Sequence, residues 1–157
     1  MLTNPASLKS RALRLLSRRE YSRAELEHRL QPFEETPGSL AQALDELQAK
    51  GWISAQRVIE SVLHRRLAQW GTARIKRELQ DKKLDPQAIH QALAALSTSD
   101  LERALALWRK KFGAAPGDLQ QAARQTRFLA ARGFDAQTIH RVLKVVAQES
   151  PSSPTRD

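Results

Sequence analysis

"LDPQAIHQAL", from Leu84 to Leu93, returns fifty positions later as "FDAQTIHRVL", from Phe134 to Leu143. Both stretches use the grammar of a helix start. An apolar residue (Leu84, Phe134) precedes an Asp N-cap (Asp85, Asp135), Pro or Ala opens the helix, and an apolar residue one turn in (Ile89, Ile139) can fold back on the first. A third copy stands at "ISAQRVIESV", where Ser54 caps and Ile53 can meet Val58. Helix-start rules alone can write such a phrase. They do not write the upstream agreement at the same offset: Arg74 with Arg124, Arg77 with Arg127, Leu79 with Leu129, Lys82 with Arg132. The chain therefore reads as an internal repeat, and every motif inside it is read accordingly.

Working outward, Leu8, Ala12, Leu15 and Leu16 form one apolar stripe of a first helix. Ser22 followed by Glu25 predicts a capping box, opening a second helix with Leu26 and Leu30 one turn apart. After the loop "EETPGS", a third helix carries Leu40, Leu44 and Leu47 and stops at Gly51, which suits a left-handed C′ glycine with Trp52 behind it as an apolar packing residue. The same three beats recur. "SAQRVIESVLHRRLAQW" predicts a long helix broken at Gly71, Thr72 starts a helix with Ile75 and Leu79, and Asp85 starts another. A third round begins at "STSDLERALALWRKKF", breaks at Gly113, continues through Leu129 and ends with the helix after Asp135. Tyr21, Trp70 and Phe112 mark a related junction near the end of each first helix.

The expected fold is all-α: three tandem three-helix repeats at 1–53, 54–99 and 100–147, forming an elongated, curved helical array, with 148–157 a disordered tail. Tyr21, Leu26, Leu30, Trp52, Ile53, Trp70, Ile75, Leu79, Ile89 and Ile139 are the expected repeat and core positions. Units of this size bury too little surface to stand alone, so neighbours must stack.

Of 157 residues, 26 are Lys or Arg and 17 Asp or Glu, leaving +9. Such a balance suits a partner for nucleic acid or for an acidic protein surface. Basicity rises along the chain, from eight basic against seven acidic residues over 1–50 to ten against five over 101–157. Without Cys there are no disulfides or thiolate metal sites. No run is long enough to span a membrane and no signal-peptide order opens the chain, so a cytoplasmic protein is expected.

No catalytic constellation emerges. The glycines are scattered, and Gly51, Gly71, Gly113 and Gly133 fall at helix breaks rather than in a phosphate-binding loop. His90 and His140 are one repeat position seen twice, with no second ligand a turn away, while His28 and His64 stand among basic neighbours. Ser54 is explained as an N-cap. The chain is read as a non-enzyme with no cofactor and no metal.

The strongest charge feature is Arg65, Arg66, Arg74, Lys76, Arg77, Lys82 and Lys83 within nineteen residues. The third repeat answers with Arg109, Lys110, Lys111, Arg124, Arg127 and Arg132. Arg74 and Arg77 share a face away from Ile75 and Leu79. Two successive stripes could follow a phosphate backbone or an acidic groove, without base-specific readout and with strong salt dependence.

"ALRLLSRREYSRAELEHRL" (12–30), "GWISAQRVIES" (51–61) and "WGTARIKRELQDKKLD" (70–85), in that order and spacing, resemble the successive signatures of the RecX family, regulators of the bacterial RecA recombinase. The resemblance covers Leu8 to about Val146 and implies three tandem three-helix repeats. It further implies binding to RecA filaments on single-stranded DNA, restraint of filament growth, ATP hydrolysis, strand exchange and SOS induction, and direct binding of single- and double-stranded DNA. Ala55 and Val58 depart from the family's usual acidic and aromatic residues, and Lys83 stands where the turn is often Gly. The third repeat matches least well. The competing readings are a sequence-independent DNA-binding helical protein with no obligatory protein partner, and a helical repeat whose charge serves solubility. A monomer is expected, since no heptad seam is present.

Overall fold

The computed structural model describes residues 6–150. Among them the chain forms nine α-helices, one 3₁₀ turn at Gln31–Phe33 and no strand. In order these are α1 (Leu8–Leu16), α2 (Arg23–Leu30), α3 (Ser39–Ala49), α4 (Ala55–Arg66), α5 (Thr72–Asp81), α6 (Pro86–Ala94), α7 (Asp100–Lys111), α8 (Leu119–Ala131) and α9 (Ala136–Glu149). They make three successive three-helix repeats. Of the expected tail, Gln148 and Glu149 belong to α9, and residues 151–157 lie outside the described residues.

The helices begin where their capping residues stand. Ser22 Oγ accepts from the Glu25 N–H at 3.2 Å while Glu25 accepts from the Ser22 N–H at 2.8 Å, completing the box. Ser54, Asp85 and Asp135 each accept from the backbone N–H three residues on, at Arg57, Ala88 and Thr138. The fifty-residue repeat holds in three dimensions: Leu79 and Leu129 are fully buried, as are Ile89 and Ile139 within a few per cent, and Leu84 and Phe134 follow. Ile75 and Gln125 hold corresponding buried positions, but Gln125 uses its amide, accepting from Trp108 Nε1 at 2.8 Å and donating to the Ala114 carbonyl at 3.1 Å.

Two details differ from expectation. The end of α3 is a Schellman turn as its sequence predicts, with Gly51 at φ 81° and the Trp52 N–H bonded to the Leu47 carbonyl at 2.9 Å. Trp52 itself is nevertheless not a core residue. Its side chain is 54% exposed, because Ile53, at 5%, takes the buried place beyond the turn. The long helix predicted to reach Trp70 ends at Arg66. There the Gln69 and Trp70 N–H groups both turn back onto the Arg66 carbonyl, and the next N–H, of Gly71, donates to the Arg132 carbonyl at 2.7 Å. Trp70 is half-buried.

Packing groups the helices into two compact units. One comprises residues up to His64 with Glu78–Ala92, the other Arg65–Arg77 with Leu93 onward. In the first unit α1 packs on α2 and α3 over a core of Ala12, Tyr21, Leu26, Leu30, Leu40, Leu44, Leu47 and Ile53. In the second, α9 lies against α7 and α8 over Ala104, Trp108, Leu129, Phe134, Ile139, Val142 and Val146. The second unit also contains a close backbone crossing. A Cβ on Gly71 would lie 2.4 Å from the Gly133 carbonyl oxygen, and one on Gly133, at φ +90°, would lie 2.3 Å from Arg74 Cβ.

Candidate functional site

The two units differ sharply in charge. Over its described residues the first holds eleven Lys and Arg against eleven Asp and Glu, and the second fourteen against five. The whole excess of +9 therefore belongs to the second unit. The sequence predicts a gradient toward the C-terminus; folding sharpens it, because the basic end of α4 and the start of α5 join the third repeat while the acidic end of α5 joins the first unit.

Eleven of the thirteen candidate cations lie in the second unit: Arg65, Arg66, Arg74, Lys76, Arg77, Arg109, Lys110, Lys111, Arg124, Arg127 and Arg132. Lys82 and Lys83 lie in the first. The arginines at the centre are held by aromatic rings. Arg66 and Arg74 stack over Trp70, at 4.0 and 3.9 Å from its ring centre, and Arg132 and Lys111 face Phe128 at 5.1 and 5.7 Å. Arg74 also donates to the Ala131 carbonyl at 3.0 Å, placing a cation on the negative end of α8. Arg74 and Arg77 line a shallow cleft with Ala73, Ala130, Ala131 and Gly133, so the stripe of the second repeat reaches the end of α8 in the third.

Lys76, Arg77, Lys110, Arg124 and Arg127 are exposed and have no hydrogen bond or ion pair among the described residues. On α8, Arg124 and Arg127 sit opposite the side that buries Gln125 and Leu129. Arg109 pairs with Glu149 at 3.1 Å in an exposed bridge that contributes little. Lys82 is turned inward: its amine meets Glu25 at 2.9 Å with only 13% of its side chain exposed, so its charge is taken up inside the first unit. Lys83 is exposed, at φ 56°.

Arg103, Arg141 and Lys144 of the second unit lie outside the two basic stripes legible in the sequence. Arg141 and Lys144 are exposed on α9 and extend the basic surface, a placement readable only from the helix's burial pattern. Arg103 is the opposite case. It is 8% exposed, donates to the Thr98 carbonyl and to Thr72 Oγ1, and makes a close ion pair with Asp100, whose carboxylate also accepts from the Thr72 backbone N–H at 3.3 Å. The cluster fixes the start of α5, which presents Arg74 and Arg77. Among the described residues no group of His, Asp or Glu could hold a metal ion, and no helix is long and apolar enough to cross a membrane.

Fold and charge together define an all-α helical-repeat protein with one electroneutral and one strongly basic unit. Family models described as the first and third three-helix domains of RecX match residues 9–52 and 98–143. Curated relatives named "Regulatory protein RecX" include one from Leptothrix cholodnii, 46% identical with 91% of both chains covered, and one from Ralstonia nicotianae, 43% identical with 89% of this chain and 88% of the relative covered. The crystal structure of RecX from Lactobacillus salivarius shares the fold at TM-score 0.72 and 18% identity, over 90% of this chain and 95% of that one. The chain belongs to the RecX family of regulatory proteins.

Proposed function

We propose that this protein is a non-enzymatic inhibitor of the RecA recombinase in the bacterial cytoplasm, binding RecA filaments on single-stranded DNA through the basic surface of its second unit. It limits filament extension, ATP hydrolysis, strand exchange and SOS induction. The observation that carries this reading is the confinement of all net charge to one unit, with Arg77, Arg124 and Arg127 exposed and unpaired there. Such a surface is drawn to a polyanionic filament and needs no reacting group. The second reading, a sequence-independent binder of single- and double-stranded DNA, rests on the same surface. Titrating the protein into RecA pre-assembled on single-stranded DNA separates them. Loss of ATP hydrolysis well below the RecA concentration supports filament regulation, whereas loss only when the protein coats the DNA leaves the DNA binder.

A further inference from the structure

The first unit is neutral, yet its cations are not evenly neutralised. Lys9, Arg19, Arg23, Arg57 and Lys82 are each ion-paired to a carboxylate of the unit. Arg11, Arg14 and Arg29 have no carboxylate partner among the described residues, and all three line one cleft. The floor of that cleft, about 320 Å³ in volume, is Leu15 of α1, Leu30 of α2 and Phe33 of the 3₁₀ turn. Phe33 is 45% exposed, one of few large apolar side chains left so, and the Arg11 guanidinium stacks on it at 3.8 Å from the ring centre. Arg11 is fixed there by donating from Nε to the Ala6 carbonyl at 3.2 Å, and Arg29 reaches the Tyr21 hydroxyl at 3.4 Å.

From this we infer that the cleft between α1, α2 and the 3₁₀ turn docks a short acidic peptide segment of a partner protein, with one large aliphatic or aromatic side chain seated on Phe33 and its flanking carboxylates met by Arg14 and Arg29. An apolar floor inside a ring of guanidinium groups that lack carboxylate partners is complementary to that chemistry, and a buried anchor with a polar rim is how small interfaces concentrate affinity. A nucleic-acid strand fits less well. Its charge falls on the backbone at every nucleotide, and it has no aliphatic side chain to seat on the floor of Leu15, Leu30 and Phe33.

The test uses the full chain, labelled with nitrogen-15, and a fluorescent peptide of glutamates around a single leucine, with the same peptide carrying alanine at the centre and oligothymidylate as comparisons. The leucine peptide shifts the amide resonances of Arg14, Leu15 and Phe33 and binds more tightly than the alanine peptide. Phe33→Ala or Arg14→Glu weakens that binding about tenfold, as loss of an anchor does. Arg127→Glu leaves it unchanged. Equal binding of the two peptides, equal loss in Arg127→Glu, or oligothymidylate shifting these same resonances in place of the peptide overturns the assignment. Because the readout contains no RecA, it stands or fails separately from the function proposed above.

Discussion

Glu25 of α2 and Lys82, just past the end of α5, form an ion pair at 2.9 Å across 57 positions of sequence. The same carboxylate closes the capping box on Ser22 and is approached by Arg19 at 3.3 Å. Burial pushes the Glu25 carboxyl up, but the Ser22 N–H, the Lys82 amine and the Arg19 guanidinium together outweigh it and hold the group below the usual carboxylate range. A depressed folded-state value stabilises the protein above the ordinary Glu value, about pH 4.3, and that contribution is lost as pH falls through the lower folded value. Glu25→Gln, which keeps the shape and removes the charge, is expected to cost about 2 kcal/mol at neutral pH in urea unfolding. Its stability should also fall less steeply than the parent's below about pH 4. An unchanged acid slope would show that the pair contributes nothing.

Gly71 and Gly133 allow two stretches of backbone to touch. Gly71→Ala would drive a methyl into the Gly133 carbonyl, a backbone group that cannot swing aside. The expected loss is about 3 kcal/mol or more, seen as a lower Tm. Gly133→Ala adds the strain of a positive φ to a clash with Arg74. Since both act at one crossing, the double variant should lose less than the two single losses combined.

How much of this was legible depended on the range of the interaction. Helix starts are written locally, so Ser22, Ser54, Asp85 and Asp135 could be read as caps from their own neighbours, and each makes its predicted bond. The repeat was legible because Leu79 and Leu129 answer one another in both sequence and burial. The exposure of Trp52 is not legible in the sequence because the turn at Gly51 sets only the backbone path, and whether Trp52 or Ile53 faces inward is decided by the packing beyond it. Among the cations, sequence could locate the stripes of α5 and α8 but could not distinguish Lys82, consumed by a carboxylate 57 positions away, from Arg77, which is left open. Arg103 escapes a sequence reading for the same reason. Its burial against Asp100 and Thr72 depends on α5 and α7 meeting.

That cluster predicts its own failure. Asp100→Ala leaves the Arg103 guanidinium buried without its counter-charge and the Thr72 N–H without its acceptor. Removing one partner of a buried pair costs about 3–5 kcal/mol. Replacing both Asp100 and Arg103 by apolar residues of similar volume should cost less than Asp100→Ala alone, a comparison that thermal melts of the variants settle.

Lys83 occupies a left-handed position, φ 56°, where the matching residue fifty positions on is Gly133. A side chain there costs about 1 kcal/mol, and glycine does not pay it. Lys83→Gly is therefore expected to raise stability by about 0.5–1 kcal/mol, measured as a higher urea midpoint with unchanged m-value. A fall would mean that the lysine side chain contributes more than its backbone strain costs.

Electrostatic asymmetry between the units makes the proposed binding surface testable by salt alone. If the second unit follows a single-stranded backbone, log K falls linearly with log salt, with a slope of about 0.7 for each phosphate contact. Arg77→Glu, Arg124→Glu and Arg127→Glu, all exposed and unpaired, should each reduce that slope by about 0.7 in fluorescence anisotropy with oligothymidylate, while melting at the parent temperature. Arg14→Glu, equally exposed but in the neutral unit, should leave the slope where it was, because its phosphate contacts are absent rather than weak. Equal effects from both units would show that net charge, not the arrangement on α5 and α8, draws the strand. Loss of the proposed RecA inhibition by the second-unit variants with the DNA slope unchanged would place those arginines on the RecA protein instead.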